Sequence, residues 1–442
     1  MDHASLAANL EKEWESSILP VLERYIAIPC LSPDFDPEWS THGFIDQGMD
    51  LIADWVRSRG LGEPEILRMP GRTPLLLLDV PASGSKTKAR TTLLYGHMDK
   101  QPEMTGWRNG LGPWKPVREG DRLYGRGGGD DGYSAFAALS ALGALRQHDM
   151  PHGRAIVLIE ASEESGSMDL PVYMDLLAKR IGDLGLVVCL DSGAGTYDRL
   201  WTTSSLRGIV GGTLTVEVLR EGVHSGAASG IIPSSFRIAR LLLSRIEDAE
   251  TGRVLLPEAH ASIPEERIRE ARMTGEILGE AVVHDFPIVP GLRPMSDDRT
   301  QLVLNQTWRP ALSIVGGEGF PPVQTAGNVL RPLTRLKLSL RIPPGVNSRL
   351  VSERMKHNLE TDPPNGARVR FEPDEPADGW TAPPTAPWLK ESLNMASRGF
   401  FGKPAAELGE GGTIPFMGML GERFPQAQFM ITGVLGPESN AH

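Results

Sequence analysis

A chain of 442 residues, 40% hydrophobic and 23% charged, can bury a large core and is longer than one average domain. Its net charge of −11 argues against nucleic acid or an anionic membrane as the natural partner, without identifying a substrate. Two cysteines, Cys30 and Cys189, are too few for a disulfide framework or a thiolate zinc cluster. The opening stretch MDHASLAANLEKEWESS is acidic and lacks an apolar signal core, and no run of about 18 apolar residues occurs. The expectation is a soluble, cytoplasmic protein.

Apolar residues recur at helical spacing from Ser5 to Ile28 and from Phe44 to Ser58, as in Ile45, Met49, Ile52 and Val56. Short apolar runs follow at 74–80, 91–96, 155–160 and 184–191, with helical patterns at Ser134–Gln147 and Leu170–Lys179 between them. That alternation predicts a parallel sheet covered by helices on both faces. Near Gly208 the texture changes. TLTVEVL (213–219) and RLKLSLR (335–341) alternate strictly, which puts Leu214, Val216 and Val218, then Leu336, Leu338 and Leu340, on buried faces. Helical stretches at Ser234–Ala249 and Ser348–Glu360, with strands at 311–316 and 367–373, complete a strand-helix-strand-strand-helix-strand order, the ferredoxin-like pattern. Residues 250–300 are a polar excursion with no readable fold, and the Pro- and Asp-rich 373–387 reads as a returning linker. The expected fold is therefore α/β. A mixed, mainly parallel sheet covered by helices (1–206 with 378–442) is interrupted by an inserted ferredoxin-like α+β domain (207–377).

In open parallel sheets, ligands collect beyond the carboxyl ends of the strands. The residues there are one-sided in chemistry: His97 and Asp99 after 91–96, Glu163 and Glu164 after 155–160, and Asp191 at the end of 184–191. Asp130 opens a helix behind the loop GRGGGDDG. One imidazole and several carboxylates in one crevice repel one another unless cations neutralise them. Gly127–Gly132 also fits G-x-G-x-x-G, the fingerprint of a nucleotide-binding oxidoreductase. Asp130 and Asp131, however, would hold negative charge where a pyrophosphate must sit. Taken singly, each residue has a plainer reading: helix caps for Asp130 and Asp131, a turn for Asp99, a solvated loop for Glu163 and Glu164, a structural role for His97. Their joint occurrence at successive strand ends favours a metal site.

Six motifs in order, YGHMDKQP, YGRGGGDDG, EASEESGS, VHSG, EGGTIP and the terminal NAH, resemble those of the dinuclear-zinc peptidases and amidohydrolases of clan MH. That group includes carnosinase, aminoacylase, succinyl-diaminopimelate desuccinylase and carboxypeptidase G. YGHMDKQP, TWRPALSI and LSLRIPP are most similar to the carnosinase-like dipeptidase branch. The resemblance implies two divalent metal ions per subunit, zinc first, with manganese or cobalt able to substitute. It places His97 and Asp191 on one ion, Glu164 and His442 on the other, and Asp130 on both. Asp99 would orient the His97 ring. Glu163 would be the general base for a water bridging the ions. A cis Asp130–Asp131 peptide is expected.

The resemblance further implies that Arg341 clamps a substrate carboxylate, where the plainer reading is a solvated sheet charge. His224 would reach across a homodimer to the substrate carbonyl, Asn328 and Thr413 would contact substrate, and the inserted domain would serve as lid and dimerisation unit. A ligand at the final residue, His442, suggests that the chain continues beyond it. Lys100 and the pair Gly132–Tyr133 depart from the branch's pattern and leave the exact substrate open. The implied reaction is hydrolysis of an amide bond next to a free carboxylate, in a dipeptide first, with an N-acyl amino acid as the alternative. A binding module that has lost its chemistry is disfavoured by Glu163 standing beside five ligand candidates.

Overall fold

The continuous apolar runs become strands of one six-stranded sheet. The computed structural model of the chain describes residues 3–86 and 89–440. After an N-terminal helix, His3–Glu13, its elements include α1 (Leu19–Ile26), α2 (Phe44–Ser58), β1 (Glu65–Leu67), β2 (Leu75–Val80), β3 (Thr91–His97), α3 (Ser134–Gln147), β4 (Ala155–Glu160), α4 (Leu170–Ile181) and β5 (Leu184–Cys189). The sheet order is β1-β2-β4-β3-β5, with Gln428–Ile431 added beside β5. Pairings β1–β2 and β2–β4 are antiparallel and the other three are parallel, so the sheet is mixed. Leu76, Leu78, Val157 and Ile159 pack against Leu22, Met49, Ile52 and Phe136 of the helices. Leu75 and Leu77, pointing the other way, are also buried, which is why these strands read as unbroken apolar runs. Each such side chain contributes roughly 1.5–3 kcal/mol.

The helix expected over Ser5–Ile28 contains a π-helical turn, Trp14–Ile18, immediately before α1. Pro20 lies in the first turn of α1 and has no N–H to continue the ladder, which is where such a turn is accommodated.

By compactness the chain divides into two units, each described here by itself. The first runs as far as Ser204 and resumes over Ala382–Leu408 and from Met419 onward; the second is Ser205–Thr381 with Gly409–Gly418. In the second unit, β6 (Gly208–Glu217), α5 (Ser235–Leu243), β7 (Ala311–Glu318), β8 (Leu333–Ile342), α6 (Ser348–Glu360) and β9 (Arg368–Pro373) follow the ferredoxin-like order. Their antiparallel sheet runs β7-β8-β6-β9. Leu214, Val216, Leu336, Leu338 and Leu340 form its buried face with Ile238, Leu242, Val351 and Met355 of the two helices.

α5 ends at Leu243, short of the expected Ala249, because the chain turns back so that Glu247 bridges Val254 and Asp248 accepts the N–H and hydroxyl of Thr251. The polar excursion is helical in large part. Glu265–Leu278 packs on Arg299–Thr307 around Ala271, Val303, Leu304 and Trp308. The first of these helices buries Arg267, Glu270 and Thr274, polar residues that conceal its amphipathic period. Among the described residues no helix is long and apolar enough to cross a membrane.

One departure from the branch's motif has a steric reason. A Cβ on Gly132 would lie 2.1 Å from Tyr25 Cε1 and 2.6 Å from the Gly127 carbonyl oxygen. Tyr25 is fully buried and its hydroxyl donates to Met98 O at 2.6 Å, so the ring has nowhere to swing. Gly132→Ala is expected to destabilise the chain by about 1–3 kcal/mol in chemical denaturation. An unchanged midpoint would show that the packing yields.

Candidate metal centre

β3 ends on His97, whose side chain is fully buried. Its Nε2 lies 3.3 Å from Asp130 Oδ1 and 3.7 Å from Asp191 Oδ2. Nδ1, on the other side of the ring, lies 3.4 Å from Asp99 Oδ1, without hydrogen-bond geometry. Asp130 comes from the tight turn Gly128–Gly132 and Asp191 from just past β5. One ligand atom each from His97, Asp130 and Asp191 falls within 4.8 Å of the others. The Asp130–Asp131 peptide is cis, as expected.

Asp99 reaches further than the ring it was expected to orient. Its two carboxylate oxygens accept the backbone N–H groups of Glu163 and Glu164 at 3.1 and 3.0 Å. One buried carboxylate therefore faces the imidazole and fixes the turn that carries both glutamates. Glu160 holds the same turn from the sheet side, accepting hydroxyls from Tyr95 at 2.7 Å, Ser167 at 2.8 Å and Ser162 at 3.0 Å. Burial pushes the Glu160 carboxyl up to about 7.

Two further contacts steady the site. Asp131, which the sequence offers as a helix cap or as charge that repels a phosphate, is buried and its Oδ2 accepts the His97 backbone N–H at 3.2 Å. Gln101 Nε2 donates to Glu164 Oε2 at 2.6 Å. Neither contact leaves a pattern in the sequence, since one is made to backbone and the other by a glutamine with no distinguishing neighbour.

The electrostatics call for a cation. Burial alone would push the His97 imidazole down, yet the carboxylates of Asp191, Asp130 and Asp99 outweigh it and hold the group well above its ordinary value. Burial, then the Asp191 charge, hold the carboxyls of Asp131 and Glu163 well above the usual range. A bound cation would neutralise these carboxylates. An imidazole nitrogen with carboxylate oxygens converging on it is the donor set of a divalent metal, so His97, Asp130 and Asp191 fit the ion. Glu163 and Glu164, half-buried, lie on the adjoining turn. His442 lies outside the described residues.

The substrate-binding candidates fall in the second unit as two pairs. His224, exposed, is paired in a short antiparallel ladder with Val329, and the next residue, Ser225, donates its N–H to Asn328 O at 2.9 Å. Arg341 Nη1 donates to Thr413 Oγ1 at 3.1 Å, joining positions 72 residues apart.

Lys100 is not a substrate group. It is fully buried, and its Nζ donates to the carbonyls of Tyr25 at 2.8 Å, Ile28 at 2.8 Å and Ile26 at 3.3 Å, closing the end of α1. The ammonium also stands 4.0 Å over the Tyr25 ring. Tyr133 is likewise structural, its hydroxyl donating to Leu190 O.

Burial lowers Lys100 from 10.5 to about 8. Between those values the unfolded chain binds more protons than the folded one, so this residue makes stability rise with pH across that window. Relative to Lys100→Met, the native chain should gain on the order of 3 kcal/mol from pH 8 to 10.5, read by chemical denaturation. Parallel profiles for the two chains would contradict this.

Residues 93–442 match the model of Peptidase family M20/M25/M40. The cysteinylglycine-S-conjugate dipeptidase of Corynebacterium striatum is 24% identical over 361 residues, covering 80% of this chain and 76% of its own. The Beta-Ala-His dipeptidase of Mus musculus is 26% identical over 361 residues, covering 78% and 71%. In fold, the dipeptidase Dug1p of Saccharomyces cerevisiae superposes with a TM-score of 0.76 at 20% identity, covering 99% of this chain and 92% of that one.

Proposed function

Because the chain belongs to peptidase family M20/M25/M40, we propose that it is a metal-dependent hydrolase that cleaves the amide bond of a dipeptide beside its free carboxylate. The observation that carries this reading is the convergence of His97, Asp130 and Asp191, with Glu163 and Glu164 pinned to the same centre through Asp99. The dipeptidases among the relatives support a dipeptide over an N-acyl amino acid.

His97 and Asp191 would hold one ion, Glu164 and His442 a second, and Asp130 both; zinc suits these donors, and manganese or cobalt would serve. When bound, such ions supply Lewis acidity, lowering the pKa of a water toward about 7 and polarising the scissile carbonyl. Glu163 takes the proton of the attacking water on its carboxylate and delivers it to the leaving amine. Asp99 holds the backbone of Glu163 and faces Nδ1 of His97, keeping base and imidazole in fixed relation. Arg341 receives the substrate carboxylate, His224 reaches the substrate carbonyl, and Asn328 and Thr413 make polar contacts to the substrate.

A homodimer is supported by the edge strand β7, where Ile314 and Val315 are exposed. His224 would then act across it, with the second unit as lid and dimerisation unit. Free, buried Cys30 and Cys189 accord with a cytoplasmic setting.

Glu163→Gln is expected to keep its metal while kcat on a dipeptide falls by roughly three orders of magnitude or more. Glu164→Gln should instead lose part of the metal content. Elemental analysis beside steady-state kinetics separates the two roles, and equal metal loss in both variants would contradict the division.

A further inference from the structure

In the second unit, the shielded guanidinium groups of Arg207 and Arg341 lie near one another, and no carboxylate of the described residues comes within ion-pair distance of either. Arg207, directly before β6, is only 9% exposed. Its Nε–H donates to Gly411 O at 3.3 Å, and Nη1 donates to Asn305 O and Arg309 O, each at 3.4 Å. These are long for N–H···O bonds. Nη2 has no acceptor among the described residues. It lies beside Gly411, where a Cβ would come within 2.9 Å of it.

Arg341 is close by. The Arg207 carbonyl accepts the Thr413 hydroxyl, and the Thr413 oxygen accepts Arg341 Nη1. Both arginines thus hold one threonine, Arg207 through its backbone and Arg341 through its side chain. Thr413 has its proton committed to Arg207 O, which fixes its remaining lone pairs toward Arg341. Burial, then the Arg341 charge, push Arg207 down to about 10, and burial pushes Arg341 down as well. No carboxylate offsets either shift. Buried cations without counter-ions are costly unless a ligand supplies the opposite charge.

We propose that Arg207 is a second specificity-determining residue beside Arg341, and that the pair selects dipeptides whose carboxyl-terminal residue has an acidic side chain. The proposal rests on the dipeptidase reading above. Charge count carries it. One α-carboxylate neutralises one guanidinium and leaves the other buried and unpaired, whereas a terminal aspartate or glutamate brings a negative charge for each. The open Nη2 of Arg207 can give a charge-assisted N–H···O bond to a carboxylate oxygen. A side-chain amide of the same shape offers one oxygen and no charge.

The test compares the metal-loaded full chain on Ala-Glu against Ala-Gln and on Ala-Asp against Ala-Asn. The acidic peptide of each pair should be favoured by about tenfold or more in kcat/KM, carried mainly by KM. Arg207→Met should bring that ratio close to one, and Arg207→Lys, which keeps the charge without the fork, should retain part of it. Calorimetric binding of glutarate against butyrate reads the same site without turnover, and the preference for glutarate should vanish in Arg207→Met. Equal use of Ala-Glu and Ala-Gln by the native chain overturns the proposal, as does a folded Arg207→Met that keeps the ratio. In that case Arg207 only holds the Gly411 segment in place. A chain that prefers glutarate through Arg207 and yet hydrolyses no dipeptide keeps the anion site and refutes the dipeptidase reading.

Discussion

Asp99, Asp130, Asp131, Asp191, Glu160, Glu163 and Glu164 surround or adjoin one buried imidazole, and their mutual repulsion conditions everything around it. Two like charges 4 Å apart near a protein surface repel by about 4 kcal/mol, and carboxylate oxygens of Asp130 and Asp191 lie within 4.8 Å of each other here. Without a cation the group must take up protons, which is the direction in which burial and neighbouring charge push Asp131, Glu163 and His97. A divalent cation would neutralise the same carboxylates. The centre therefore makes chemical sense as a metal site and very little as a structural cluster.

The scaffold keeps these charges from moving apart. Asp99 is joined to the Glu163–Glu164 turn by two backbone bonds, Asp131 to the His97 backbone by one, and Glu160 to both ends of the 162–167 loop by hydroxyl donors. Gly127 and Gly132 of the G-x-G-x-x-G stretch, with Gly125 just before it, serve this packing. A Cβ on Gly125 would strike Ile26 at 2.3 Å, one on Gly127 the Lys100 stem at 2.6 Å, and one on Gly132 the Tyr25 ring at 2.1 Å. Bare backbone lets the end of α1 press against the loop that carries Asp130. A close approach of protein to protein, with no phosphate involved, accounts for the motif.

Much of this was legible in the sequence, for reasons that differ by element. The strand Ala155–Glu160 is buried along its whole length and Leu184–Cys189 is buried or half-buried throughout, so their apolar runs stand out and their carboxyl ends point to the acids that follow. β8 is wet on one face, and its alternation is equally plain. The helix Glu265–Leu278 was hidden because it buries arginine, glutamate and threonine, and apolar periodicity is silent about polar pairs. Asp131, Gln101 and Lys100 were hidden because their partners are backbone groups or residues far along the chain. Arg207 stands in an otherwise unremarkable strand-to-strand turn, and its meaning depends on Arg341 and Thr413 being brought beside it.

A direct metal titration decides whether this cluster of acids is a cation site. Zinc or manganese added to metal-stripped chain, followed by calorimetry and elemental analysis, should bind tightly with release of protons, since His97 and its neighbours must give them up. Asp130→Ala, lacking one of the three converging ligand groups, should lose most of the bound metal while remaining folded. Native chain that takes up no divalent ion, or Asp130→Ala that binds as the native chain does, would contradict the account at its centre.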